Sequence, residues 1–110
     1  MIESVPIFPG CEGNSNEVLR QCFITNLHKH VQKHFRYPET AKELGLTELV
    51  YVIFYIDTDG FIKGIRTRGP DISMENEAEK IITKLPRMTP EKQRGKAVRV
   101  SLPIMFKLEN

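Results

Sequence analysis

Toward its end the chain alternates. Val98, Val100, Leu102, Ile104, Phe106 and Leu108 are apolar, while Arg99, Ser101 and Lys107 between them are polar. A period of two is that of a half-buried β-strand. Pro103 interrupts the pattern, and a proline has no N–H to give to a strand ladder. Upstream, "TELVYVIFYIDTDGFIKGIRTR" reads as a hairpin. Its first half is apolar on both faces, Val50, Val52, Phe54 and Ile56 on one and Tyr51, Ile53 and Tyr55 on the other, which suits a central strand. Its second half, from Phe61 to about Arg68, is more polar, as an outer strand should be. Between them "DTDG" is turn chemistry, with Asp59-Gly60 expected to take positive φ.

Helical spacing occupies the remaining segments. Leu19, Phe23, Leu27, Val31 and Phe35 recur every four residues with Cys22 and Ile24 alongside, predicting a long amphipathic helix. Asn14 and Glu17 have capping-box spacing at its start. Pro38 can open a short helical turn that Gly45 closes in the left-handed conformation. Met74, Ala78, Ile81, Ile82 and Leu85 form the buried stripe of a further helix, with Ser73 a candidate N-cap, acidic Glu75, Glu77 and Glu79 in its N-terminal half, and Pro86 as its stop. The order helix, short turn, hairpin, helix, strand predicts an α+β fold: a three-stranded antiparallel sheet with two helices packed on one face. The doubly apolar strand must be central, so the final strand lies beside it, at an edge. Residues 1–15 read as an extended Pro/Gly-rich arm and residues 16–110 as the domain.

Composition narrows the function classes. A net charge of +2 on 110 residues is too small to imply a nucleic-acid partner. No apolar run approaches the roughly 18 residues of a membrane span, and the acidic, Pro-containing start is no signal peptide. If the protein works outside the cytoplasm, its targeting segment is expected to lie outside these residues. Cys11 and Cys22 match neither a metal motif nor a CxxC redox pair. They are candidates for a disulfide tying the arm to the first helix in an oxidising compartment; the alternative is a pair of buried thiols.

Candidate chemistry is sparse. The start of an EF-hand is present in "DTDG", but Gly60 comes too early and the twelfth position from Asp57 is Arg68, so the segment is a turn. His28, His30 and His34 lie on the first helix, and His30 and His34 could share a metal at four-residue spacing. With no third ligand they read as solvent-facing or rim histidines, and no metal or cofactor is expected. There is no nucleophile elbow, phosphate loop or HExxH, so no enzyme is expected. Lys92, Arg94, Lys96 and Arg99 lead into the final strand. They either keep an exposed edge soluble or steer an acidic segment onto it.

Taken in order, "RYPETAKELGL", "VYVIFYIDTDGFIKGI" and "EAEKIITKLPRMTPEKQRGKAVRVSLPIMFKL" resemble the C-terminal domain of TonB-like energy transducers, in the form common in Bacteroidetes-type bacteria. The carrying elements are Tyr37-Pro38, Ala41, Gly45, the Asp57–Gly60 turn, Glu77-Ala78, Pro90, Gly95 and the alternating last strand, within about Tyr37 to Leu108. The arm with its cysteine also looks like a variant of that family. Met88 and Glu91 depart from the aromatic residue and the glycine that many relatives carry there. The resemblance implies a small α+β domain in the periplasm, tethered to the inner membrane by an N-terminal helix and linker not found in this stretch. It also implies binding of a short extended segment, the TonB box, of an outer-membrane TonB-dependent transporter, with work supplied by the ExbB–ExbD motor.

Backbone alternation suggests how binding would occur. If the missing donor of Pro103 faces outward, Ala97, Arg99 and Ser101 offer their donors on the free edge, where a partner strand could add. Gln93, Arg94, Ala97, Arg99 and Ser101 are the expected partner-binding residues. The alternative is a self-associating module, a homodimer formed through Tyr51, Ile53, Tyr55 and the free edge.

Overall fold

The computed structural model of the chain describes residues 6–13, 15–89 and 97–106. The elements run α1 (Asn16–His34), α2 (Glu39–Glu43), β1 (Glu48–Ile56), β2 (Ile62–Arg68), α3 (Ile72–Thr83) and β3 (Val98–Phe106). The strands form one antiparallel sheet in the order β2-β1-β3, so the hairpin's first strand is central and the last strand is an edge, as its patterning requires. Both long helices and the short α2 belong to one side of the sheet. Val50, Val52, Phe54 and Ile56 of β1 and Leu102, Ile104 and Phe106 of β3 are buried there with Phe23 and Leu27 of α1, Ala41 of α2, and Met74, Ala78, Ile81 and Ile82 of α3. Phe106 closes one end of this core against the rings of Phe35 and Tyr37, with centroids 4.9 and 5.9 Å away.

Helix ends are fixed by local chemistry, at two places not where the sequence suggested. Asn14 lies outside the described residues; the N-cap of α1 is Ser15, whose hydroxyl accepts from Val18 N–H at 3.2 Å. For α3 the cap is Asp71, two residues earlier than Ser73, accepting from Ser73 N–H at 2.9 Å. An aspartate carboxylate is at least as good an acceptor as serine and adds charge at the positive helix end. The Ser73 hydroxyl also donates to it, which holds the Asp71 carboxyl below its ordinary pKa. The end of α2 follows the expected scheme. Gly45 (φ +67°) takes the left-handed position, Gly45 N–H donates to Lys42 O at 3.1 Å and Leu46 N–H to Ala41 O at 3.0 Å, together a Schellman closure.

The hairpin turn also differs in detail. Gly60 has φ +86°, but no described non-glycine residue has positive φ, so Asp59 does not share the left-handed region. Asp57 O accepts from Gly60 N–H at 2.8 Å, and Phe61 O accepts from Asp57 N–H at 2.9 Å. This is a three-residue loop, a turn followed by a left-handed glycine, in place of a two-residue one. The chain after α3 presses against it. Met88 N–H donates to Gly60 O at 2.8 Å, and a Cβ on Gly60 would stand 2.0 Å from Met88 O. Beside Met88, Thr89 and Ile7 exchange two backbone hydrogen bonds of 2.9 Å, so the N-terminal arm is stitched to this crossing. Phe8, Cys11, Leu85 and Met88 thereby join the core.

The disulfide is formed. Cys11 and Cys22 are bonded, with Cα atoms 6.0 Å apart, and the arm is tied to the buried side of α1 as the helical position of Cys22 implied.

Candidate functional site

The hairpin bond from Asp57 N–H to Phe61 O sets which way each backbone group of β1 faces. In a strand alternate residues direct their N–H and C=O to opposite sides. Odd-numbered residues of β1 therefore face β2, and even-numbered ones face β3. Across the β1–β3 register, Val50 pairs with Ile104, Val52 with Leu102, Phe54 with Val100 and Ile56 with Val98. These are the hydrogen-bonded pairs, so the even residues of β3 bond inward. Arg99, Ser101, Pro103 and Met105 direct their backbone groups to the open edge. Pro103 lies opposite Tyr51, and its absent donor costs the β1–β3 ladder nothing.

Of the expected partner-binding residues, Ala97 precedes the strand and is exposed, and Arg99 and Ser101 are exposed on β3. These three sit in line along the edge. Gln93 and Arg94, with Lys92 and Lys96, lie outside the described residues.

A groove runs beside the edge. It has a volume of about 490 Å³ and is lined by His28 and Val31 of α1, by Phe35 just past its end, and by Leu102, Pro103 and Met105 of β3. Sequence reasoning missed it, although a signal exists. Four residues turn a helix by about 400°, so a stripe spaced strictly by four drifts about 40° per step. Phe23 and Leu27 are buried, while Val31 and Phe35 are only half-buried; the drift has carried them to the groove wall. His30 takes the vacated place on the buried side, seven residues after Phe23. This corrects the reading of all three histidines as solvent or rim groups. His30 is 8% exposed and donates from Nε2 to Ile81 O at 2.8 Å. Its ring lies 4.4 Å from that of His34. Loss of surrounding water, then the charges of His30, Lys84 and Lys33, push the His34 pKa down. Among the described residues no group of three or more His, Cys, Asp or Glu gathers in metal-binding geometry.

Glu77 is the other buried polar group, 9% exposed. It is not merely one of several acids near the start of α3. Its Oε2 accepts from Arg36 N–H at 2.9 Å, just past the end of α1, and so joins the α1–α2 connection to α3. At the far end of the sheet, Lys63 Nζ bridges Asp57 and Asp59 at 2.9 and 3.1 Å. The bond from Lys63 lowers the Asp57 pKa; the Phe61 N–H and then Lys63 lower that of Asp59; the Lys63 pKa rises in return.

With this geometry in place, the comparisons are consistent with one another. The family model described as "Gram-negative bacterial TonB protein C-terminal" matches residues 33–108. The NMR solution structure of the Helicobacter pylori TonB C-terminal domain, residues 179–285, is similar with a TM-score of 0.60 at 24% identity, covering 89% of this chain and 87% of that one. A shorter form of the same domain, residues 194–285, gives 0.53 at 23% identity, covering 80% and 96%. At those identities the likeness establishes the fold. Among curated proteins, none matches the chain.

Proposed function

We propose that this chain, which belongs to the TonB C-terminal domain family, engages its outer-membrane transporter by adding an extended transporter segment to the outer edge of β3. The family's domain is periplasmic in Gram-negative bacteria and binds outer-membrane transporters in TonB-dependent transport. No helix among the described residues is long and apolar enough to cross a membrane. In the full transducer the domain would act on work delivered by the ExbB–ExbD motor.

The observation that carries the reading is the single-sided hydrogen bonding of β3. Arg99 and Ser101 have outward backbone donors and acceptors on an exposed, regular strand, and Pro103 ends the run of donors. Main-chain pairing would supply affinity and alternate side chains specificity. Side chains of the added strand on the helix side would enter the groove of Val31, Phe35 and Leu102; those on the other side would meet Arg99 and Ser101. Gln93 and Arg94 would extend the contact from the preceding connection.

An amide NMR titration with an extended peptide from the N-terminal end of a candidate transporter tests this. Shifts centred on Ala97 to Ser101 are expected, and Arg99→Glu should weaken binding with the spectrum of the free domain preserved. Shifts centred on β2, or Arg99→Glu binding as tightly as wild type, would overturn the edge or the steering respectively.

A further inference from the structure

Toward β2, the helix-free face of the sheet has a composition that strand addition at β3 does not use. Its rows follow from the register. Tyr51 stands between Arg68 of β2 and Pro103 of β3, Ile53 between Arg66 and Ser101, and Tyr55 between Lys63 and Arg99. Gly64, with φ +64°, places an extra residue in β2 between Lys63 and Arg66 and keeps both on this face. Tyr51 is 55% exposed, Tyr55 38% and Met105 53%. The face is thus an aromatic and aliphatic centre walled by cations. Lys63 is occupied by Asp57 and Asp59 at the turn end, while Arg66, Arg68 and Arg99 have no ion-pair partner among the described residues. Thr67, pointing the other way, bonds to Glu75 on α3, so the nearest helix does not supply the missing carboxylates.

We propose that this face binds a carboxylate-bearing extended segment of the partner protein, lying over β2 and the central tyrosines. The inference deepens the strand-addition reading and rests on it for the partner's identity. A second copy of the chain is a poor occupant, because it would bring arginine against arginine. A polypeptide fits better than a bilayer or a glycan. Arg66 and Arg68 are two residues apart on one strand, about 6.8 Å, which is also the spacing of alternate side chains in an extended chain. Acidic residues at alternate positions can therefore meet both guanidinium forks, with tyrosines beside them offering rigid apolar contact. A strand added beyond β3 would run roughly 14 Å from β2, three strand spacings, so its own side chains do not reach Arg66 or Arg68. The two contacts are separable.

The test uses two probes on the whole chain: a synthetic peptide alternating glutamate with threonine, and its glutamine counterpart. The glutamate peptide should shift the amides of Tyr51, Ile53, Tyr55, Arg66 and Arg68. It should bind about tenfold tighter than the glutamine peptide at low salt, the effect of two modest ion pairs. Arg66→Glu with Arg68→Glu should remove that preference, and the neutral pair Arg66→Gln with Arg68→Gln most of it. Both should leave intact the binding of a neutral transporter-derived peptide at β3. Equal binding of the two probes, shifts confined to Ala97–Pro103, or insensitivity to the reversals would overturn the proposal. So would tighter, competing binding of heparin or of anionic lipid vesicles. If the neutral edge peptide fails to bind while the glutamate peptide still binds at β2, strand addition is wrong and the acidic-segment site stands.

Discussion

Along β2 the ladder to β1 breaks between Ile53 and Tyr55, where Gly64 intrudes with φ +64° and lies under the Tyr55 ring; along β3 the pairing runs without a shift from Val98 to Phe106. Both strands are sheet edges, and both carry cations. A bulge bends and twists a strand and spoils the regular spacing of its outer donors, which is a known defence against unwanted pairing. The β3 edge has only Pro103, set toward one end. The same sheet therefore has one edge closed by backbone geometry and one edge limited in length by a single missing donor. Regularity of pairing, more than charge, separates the two edges.

The comparison can be broken or sharpened by moving prolines and glycines. The largest effect is expected from Val100→Pro. It removes an inward donor opposite Phe54 and should cost about 3 kcal/mol or more, measured by urea denaturation. Ser101→Pro, one residue on, removes an outward donor. It should cost far less stability and still abolish peptide binding; equal destabilisation by the two would overturn the inward–outward assignment. Next, Cys22→Ala opens the Cys11–Cys22 loop and should lower stability by about 3 kcal/mol, with peptide affinity at β3 unchanged once the domain is folded. Gly64→Val forces a side chain into the left-handed region, 3.2 Å from Tyr55. It should cost about 1–2 kcal/mol in denaturation, with no peptide gained at β2. The smallest change is Pro103→Ala, which restores one outward donor. Stability should move by under about 1 kcal/mol, while the peptide footprint in hydrogen exchange extends past Ser101.

Much of this was legible in the sequence, and the parts that were not share a cause. Strand order followed from Tyr51, Ile53 and Tyr55 being apolar on the face opposite Val50, Val52 and Phe54, because period and burial act through the same side chains. Caps were harder: Ser15 and Asp71 are neighbours of equally good candidates, and tertiary packing chooses among them. His30 was misjudged as a surface group because residue type was given more weight than angular position, and Glu77 was read only for its charge in the N-terminal half of α3. Each is buried with a specific backbone partner, Ile81 O and Arg36 N–H, and pairs made across such sequence distances leave no local trace. The groove needed the assembled α1 and β3, though the drift of Val31 and Phe35 from the stripe was there to be read. The arginine face was divided between β2 and β3 and became a surface only through the register.

The cross-link of the arm has a mechanical consequence. Tension entering through residues 6–8 meets the Ile7–Thr89 pair first and then Cys11. From Cys11 the covalent path jumps to Cys22, so the pull bypasses the first turn of α1. Force is delivered to the second turn of the helix, beside Phe23 and Leu27, which anchor it to the core. A tug on the arm is thus taken up across the packed interior as a whole, and the helix cannot be unwound from its leading end.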